Sequence, residues 1–307
     1  MRSNDLFTHH SSLVLQKPQT SMHKTNTPFD LVILDLDGTI LDLYHATGIS
    51  VRVQAAIAAV QAAGIPVTIG SGRTLDYIRQ NLAHLPLTYP MVTMQGAVIG
   101  DPVTGEILAE TDIPLISARQ LADWVDENSY VTAFYFNDRA GHTQVYQNRL
   151  HADPTNRDFY DHVFGAPRIL VPAFVDLLTT PDAQPLLKFI IDNDLTDQPN
   201  LAPELQALFG ATLHITRTHP RLVEGTALGV DKGQGALHLC RLLDIDPQRV
   251  LVIGDNDNDI PMLAAMEFGV AMGNATPGVK AIAQWVAPSI SEDGAAVALE
   301  KLVLARM

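Results

Sequence analysis

A chain of 307 residues, 47% hydrophobic and 18% charged, has the make-up of a globular protein long enough for two domains or one core with a large insertion. Its net charge of −14, with no basic block, argues against nucleic acid or an anionic membrane as main partner. No stretch approaches the ~18 consecutive apolar residues of a membrane helix. Acidity leaves a phosphorylated small molecule open, because one cation and a few basic groups reverse the sign of a single cleft. The lone cysteine, Cys240, excludes an internal disulfide, fits a reducing, cytoplasmic setting and sits in a helical pattern as a small core residue.

Residues 1–28 are polar, rich in His, Ser and Thr and unpatterned, which reads as a disordered tail with Met22 as an alternative start. The aliphatic run Leu31–Leu34 then predicts a buried strand ending in Asp35-Leu36-Asp37-Gly38-Thr39. Strand alternation puts Asp35 and Asp37 on one side, where they repel unless a divalent cation lies between them or one holds a proton. Gly38 lets backbone N–H groups approach an anionic ligand. A helix over Ile49–Ala63, closed by Gly64, leads to a second strand at Ile65–Ile69, which ends in Gly70-Ser71-Gly72-Arg73-Thr74. Next come a helix over Leu75–Leu85, a third strand at Pro90–Thr93 and a β-hairpin over Ala97–Ile113. This order predicts a parallel sheet with right-handed crossovers.

The pattern then changes. A helix at Ser117–Asn128 precedes alternating strands at Tyr130–Phe136 and Thr143–Gln147, joined by a turn at Asp138–Gly141. Short helices at Asn156–Val163 and Ala173–Thr179, a strand at Leu186–Asp192, a helix at Glu204–Phe209 and strands at Thr212–Arg217 and Arg221–Gly225 follow. The antiparallel character predicts an inserted α+β domain over residues 113–228, dividing an α/β core into 29–112 and 229–307. Beyond Gly229 the core pattern returns with a helix at Gly233–Leu243, a strand at Arg249–Ile253 and a helix at Asp259–Met266. A strand at Phe268–Met272, a helix at Pro277–Ala283, a short strand at Trp285–Val286 and a helix at Gly294–Ala305 complete it.

Four polar clusters stand out: Asp35/Asp37, Ser71, Lys232 and Asp255/Asn258/Asp259. All but Lys232, which opens a helix, lie near the C-terminal ends of predicted parallel strands, and such ends line one crevice. The loop Gly254–Asp259 delivers hard oxygen ligands, and it lacks the Glu and flanking helices of an EF-hand, so Mg²⁺ is favoured over Ca²⁺. Each cluster has a plainer reading as well. Asp35 and Asp37 suit a turn, Ser71 suits a helix N-cap, and Lys232 suits a solvated helix start, although the helix dipole disfavours a cation there. The eleven histidines show no HxH or HxxxH spacing and read as solvated or core residues.

In this order the clusters resemble the four motifs of the haloacid dehalogenase (HAD) superfamily of phosphatases. The DxDGT form at Asp35–Thr39 and GDxxND at Gly254–Asp259 resemble its aspartate-nucleophile phosphohydrolases. The insertion lies where the Cof-type subfamily carries its class II cap, and its element order resembles the type B cap. The resemblance covers residues 29–307 and implies a Rossmann-like parallel-sheet α/β core with an inserted α+β cap. It implies Asp35 as nucleophile forming an aspartyl-phosphate, Asp37 as general acid and then base, and Lys232 as the group offsetting charge repulsion. For the metal it implies Mg²⁺ on Asp35, Asp255 and the backbone carbonyl of Asp37, with Asp259 in the metal centre orienting bound water or Lys232. Ser71 and Asn258, with the backbone near Gly38, Thr39 and Gly72, would bind phosphate. Arg73 and Lys188 would meet a distal anionic group, with Arg139, Arg149 and His142 as further candidates.

There are departures from the family pattern. Gln95-Gly96 stands where Asn-Gly is common, and Ser71 where Thr is common. The loop Ala271–Ala275 matches a family loop near the cleft and is expected to supply backbone shape. The expected function is a Mg²⁺-dependent phosphomonoesterase for a small phosphorylated metabolite, a sugar phosphate or a nucleotide or cofactor phosphate. A sugar phosphomutase and a non-catalytic phosphometabolite-binding module are the alternatives, and no obligate protein partner is inferred.

Overall fold

The computed structural model describes residues 28–42, 48–150, 167–180, 182–192 and 200–306. The predicted N-terminal tail up to residue 27 and the predicted helix Asn156–Val163 lie outside the described residues.

Strand β1 (Leu31–Leu34) has all four side chains buried, as an unbroken aliphatic run requires when both faces of a sheet are covered. It runs parallel between β2 (Val67–Ile69) and β12 (Val250–Gly254), and the order β14-β13-β12-β1-β2 is completed by β13 (Phe268–Ala271) and β14 (Trp285–Val286). A parallel bridge between Gly70 and Val92 brings β3 (Met91–Thr93) alongside β2, and β3 continues into an antiparallel sheet with β4 (Val98–Gly100) and β5 (Ile107–Glu110). The expected parallel α/β core is therefore present.

Local signals account for the helix boundaries. Ser50 caps the helix Val51–Ala62 by accepting from the Val53 N–H at 3.2 Å, and Gly64 follows it with φ of 88°. Thr74, not Ser71, caps the helix Leu75–Asn81, accepting from Tyr77 N–H at 3.1 Å. That helix stops one turn short of the predicted Leu85. The predicted last helix also changes character, passing from α at Gly294–Ala298 to a π turn at Leu299–Val303.

The inserted region builds a six-stranded sheet in the order β10-β11-β9-β6-β7-β8, antiparallel except for the β7–β8 pair. Its strands are β6 (Thr132–Asn137), β7 (Thr143–Gln147), β8 (Arg168–Leu170), β9 (Lys188–Asp192), β10 (Leu213–His219) and β11 (Leu222–Ala227). Sequence patterning missed β8, a three-residue edge strand with largely exposed side chains and no alternation to reveal it. The helices Leu115–Asn128 and Leu201–Phe209 supply buried residues to the same apolar cluster as this sheet. Two apolar clusters result. One gathers residues from Phe29 to Ala109 and from Ala236 to Val303, and the other runs from Ile113 to Val230 while also taking in Met94, Ala97 and Val98. The cap sheet is thus rooted in the β3–β4 turn of the core.

Candidate active site

Register places the first carboxylates. Leu34 pairs with Ile253 across β1 and β12, and the Asp35 N–H donates to the Ile253 carbonyl at 2.9 Å, so Asp35 and the Gly254-Asp255 loop leave the sheet at one level. On the other flank the Gly70 N–H donates to the Leu34 carbonyl at 2.9 Å, which delivers Ser71, Gly72 and Arg73 to the same edge. Beyond Asp37 the chain reverses tightly, with the Ile40 and Leu41 N–H groups both bonded to the Leu36 carbonyl. Gly38, at φ of 87°, is required there, because a Cβ would fall on the Asp255 carboxylate.

Lys232 lies at the first turn of the helix Lys232–Leu243, capped by Asp231, which accepts from Gln234 N–H at 2.8 Å. Its buried ammonium donates to Asp35 Oδ1 and to Asp259 Oδ1, both at 2.6 Å. Those two carboxylates outweigh both burial and the adverse dipole, and hold the lysine charged well above its usual range. The second Asp259 oxygen accepts the N–H groups of Asp255 and Asn256 at 2.9 and 3.0 Å. Both Asp259 oxygens are thereby committed, one to Lys232 and one to the shape of the loop.

Asp35, Asp255 and Asp259 bring carboxylate oxygens within 4.8 Å of one another. Three carboxylates here face one ammonium. Burial, reinforced by Asp259, pushes the Asp35 carboxyl well above the usual carboxylate range in spite of Lys232, and burial and Asp259 push Asp255 up to about 7. Such an excess of crowded, buried oxygen donors fits a divalent cation, which would supply the missing positive charge. Thr39 Oγ1 donates to Asp255 Oδ1 at 3.2 Å, and Asn274 Nδ2 reaches Asp255 Oδ2 at 3.2 Å and the Gly38 carbonyl at 2.8 Å. Asn274 therefore ties the Met272–Ala275 loop to the carboxylates by its side chain as well as its backbone shape.

Asp37 is turned toward Arg73. The guanidinium donates through Nε to Asp37 Oδ2 at 2.8 Å and through Nη2 to Oδ1 at 3.0 Å, a two-pronged pair, and stacks on Tyr77 at 4.5 Å. Ser71 Oγ accepts the Arg73 N–H at 3.1 Å. The third strand ends in a turn where Met94 and Gln95 both have positive φ, 49° and 59°. Hydrogen bonds from Gln95 N–H to the Ser71 carbonyl at 3.1 Å and from Met94 N–H to the Arg73 carbonyl at 2.9 Å hold it against the Ser71 loop.

The cap closes on these loops through buried polar groups. Lys188 donates to the Gly72 carbonyl at 2.8 Å and pairs with Glu224 at 2.6 Å. Glu224 also accepts from Thr218 Oγ1 at 2.6 Å and from Gln95 Nε2 at 3.2 Å, and Gln95 Oε1 accepts from Asn258 Nδ2 at 3.0 Å. Asn256 Nδ2 donates to the Thr218 carbonyl at 2.6 Å, and the Thr143 N–H to Asp76 at 2.8 Å. Burial lowers the Lys188 ammonium from its ordinary value against the pull of Glu224, whereas Lys188 draws Glu224 below the usual carboxylate range although burial opposes it.

Asp35, Asp37, Ser71, Lys188, Lys232, Asp255, Asn258 and Asp259 thus meet at one edge of the core sheet. Asn258 reaches it through Gln95, and Arg73 through Asp37. Of the other basic candidates, exposed Arg139 pairs with Asp182 at 3.3 Å, and exposed His142 lies 3.6 Å from Asp76. Glu224 and Asn274 were not among the sequence candidates. Glu224 follows Leu222 and Val223 in a strand whose residues are all buried, whereas a glutamate ordinarily faces solvent.

A family model described as haloacid dehalogenase-like hydrolase matches residues 32–299. Over 288 residues the chain is 26% identical to YcsE of Bacillus subtilis, a 5-amino-6-(5-phospho-D-ribitylamino)uracil phosphatase, covering 92% of this chain and all of that one. It is 28% identical over 275 residues to a phosphoglycolate phosphatase of Methanopyrus kandleri, covering 89% and 97% of the two chains. A solved structure from Plasmodium vivax, described as a candidate HAD/COF-like hydrolase, superposes with a TM-score of 0.76 at 25% identity over 90% of this chain and 95% of that one. The chain belongs to the haloacid dehalogenase-like hydrolase family, in its Cof-type branch.

Proposed function

We propose that this chain is a Mg²⁺-dependent phosphomonoesterase that hydrolyses a small phosphorylated metabolite by passing the phosphoryl group through Asp35. It is a phosphatase, in keeping with full-length relatives that carry that activity in their names. The observation that carries the mechanism is Lys232, bonded at 2.6 Å to both Asp35 and Asp259 and flanked by Asp255, a buried site with more negative charge than its lysine neutralises.

Asp35 Oδ attacks phosphorus as the ester oxygen leaves, and water then cleaves the acyl phosphate to regenerate the carboxylate. Lys232 keeps the Asp35 carboxylate oriented and offsets repulsion between it and the incoming dianion. Asp37 delivers the proton to the leaving oxygen and takes one from the attacking water. That role requires the Asp37 carboxyl to part from Arg73, which then becomes available to the anionic substrate. Ser71 and the backbone near Gly38, Thr39 and Gly72 cradle the phosphoryl oxygens. A divalent cation held by Asp35, Asp255 and the Asp37 carbonyl, with Mg²⁺ suiting the hard oxygen donors, would neutralise the remaining charge and polarise the phosphoryl group. Asp259 positions Lys232 and the Asp255 loop, and Asn258 positions Gln95.

Residues 113–228 act as the cap, roofing the cleft against macromolecules and bulk water, and the family setting together with buried Cys240 supports a cytoplasmic enzyme. No described helix is long and apolar enough to cross a membrane. The test is release of inorganic phosphate from p-nitrophenyl phosphate with and without Mg²⁺. Asp35→Asn is expected to lower kcat by about 10⁴-fold or more. An unchanged rate in that variant overturns the mechanism, and activation by a sugar bisphosphate with little phosphate release would instead mark a mutase.

A further inference from the structure

Three cations among the described residues touch Asp35, Asp37 or Gly72, and each is already bonded to a carboxylate. Lys232 has Asp35 and Asp259, Arg73 has Asp37, and Lys188 has Glu224. The first two pairs belong to the chemistry, where the phosphoryl group and the proton transfer need them. Lys188 and Glu224 are different. They come from the cap strands β9 and β11, register neighbours on the antiparallel pair that places Phe189 opposite Gly225 and Ile190 opposite Glu224. Both side chains are buried over the loop that carries Ser71 and Gly72.

Both Glu224 oxygens are engaged. One oxygen accepts the Thr218 hydroxyl, and the other accepts the Lys188 ammonium and the Gln95 amide. The cap therefore contributes a neutral ion pair and the Thr218 hydroxyl, met by the Gln95 amide of the core and flanked by the Tyr135 ring, whose centroid lies 5.3 Å from the Lys188 nitrogen. A neutral, hydrogen-bonding wall accepts hydroxyl groups readily. A carboxylate or second phosphate would meet a lysine whose charge is already matched and a buried glutamate that repels it.

Resting on the phosphatase reading above, we propose that Glu224 is a specificity-determining residue. By neutralising Lys188 at the cap–core junction, it selects phosphate esters with uncharged, hydroxyl-bearing leaving groups and rejects those with a second anionic group.

Matched pairs of substrates test this. 2-Hydroxyethyl phosphate and 2-phosphoglycolate differ at one end only, CH₂OH against carboxylate, and glycerol 3-phosphate and 3-phosphoglycerate make a second such pair. The native enzyme with Mg²⁺ is expected to favour the uncharged member of each pair in kcat/KM by about tenfold or more. Glu224→Gln leaves Lys188 with its charge unmatched, and the preference should fall or reverse, chiefly through a lower KM for the carboxylated member. Adding Lys188→Met to Glu224→Gln should abolish that gain. Because the readout is a ratio, a partly unfolded or slow variant scales both substrates alike and leaves it unmoved. A native preference for the carboxylated members, or a ratio untouched by Glu224→Gln, overturns the proposal. If Glu224→Gln does not fold, Thr218→Val removes one of the bonds that hold Glu224 on Lys188 and should shift the ratio the same way, and an unmoved ratio there counts against it. Failure to release phosphate from any of the four esters or from p-nitrophenyl phosphate would defeat the phosphatase reading instead.

Discussion

Among the described residues two lysines are buried beside carboxylates at the same 2.6 Å, and their surroundings have opposite electrostatics. Around Lys232 the carboxylates of Asp35, Asp255 and Asp259 outnumber the ammonium, and burial, reinforced by Asp259, pushes Asp35 and Asp255 above the usual carboxylate range. Around Lys188 there is one carboxylate, Glu224, and neutral donors complete its hydrogen bonds. A balanced pair is at rest. An unbalanced cluster carries unneutralised negative charge, which is what the proposed cation would offset, and the contrast sets it apart from the cap that frames it.

The contrast is broken most severely at Lys188. Lys188→Met strands a buried Glu224 carboxylate and is expected to cost about 3–5 kcal/mol of stability, read as a lower urea midpoint. Because the pair is balanced, combining it with Glu224→Gln should recover most of that loss.

A smaller effect is expected at the other cluster. Mg²⁺ should raise the thermal midpoint of the native protein by relieving carboxylate repulsion, about 2.7 kcal/mol at a hundredfold excess over Kd. Asp255→Asn, with one charge fewer, should be less strained without the cation and should show little Mg²⁺-dependent shift. An undiminished shift in that variant would mean that the cation binds elsewhere.

The smallest effect is a pH dependence. Glu224 is held below the usual carboxylate range, chiefly by Lys188 acting against burial, so its contribution is fully present above the unfolded carboxylate value and lost as pH falls through the lower folded value. The stability gap between the native protein and Glu224→Gln should be steady from about pH 8 to 5 and narrow below about pH 4. A gap that widens in acid would reverse the sign assigned to this residue.

Much of the unbalanced cluster was legible in the sequence, and little of the balanced one was. Asp35 and Asp255 each follow an aliphatic strand, so local pattern alone puts them at the edge of a parallel sheet, and Lys232 stands out as a cation at the wrong end of a helix dipole. Glu224 gave no such signal. Its burial depends on the cap sheet lying against Gln95, 129 residues away, and on a turn that holds Met94 and Gln95 at positive φ, which nothing in their side chains announces. The Arg73–Asp37 pair was hidden for a similar reason. Two residues 36 apart meet only because Gly70 bonds back to Leu34, and an arginine in a glycine-rich loop reads equally well as a ligand for an anion.

The register of β1 against β12 has a consequence for how the chain emerges from the ribosome. Leu34 must wait for Ile253, and Asp35 for Lys232, 197 positions later, before the central strand has both neighbours. Almost all of the cap sheet and its helices fall between these points, and its pairings are complete within that interval. The cap can therefore mature first, while the first strand of the core stays unpaired on one side for most of synthesis. Asp35, Lys232, Asp255 and Asp259 come together only in the last quarter of translation, so an incomplete chain can carry the cap pairings without the buried carboxylate–lysine cluster.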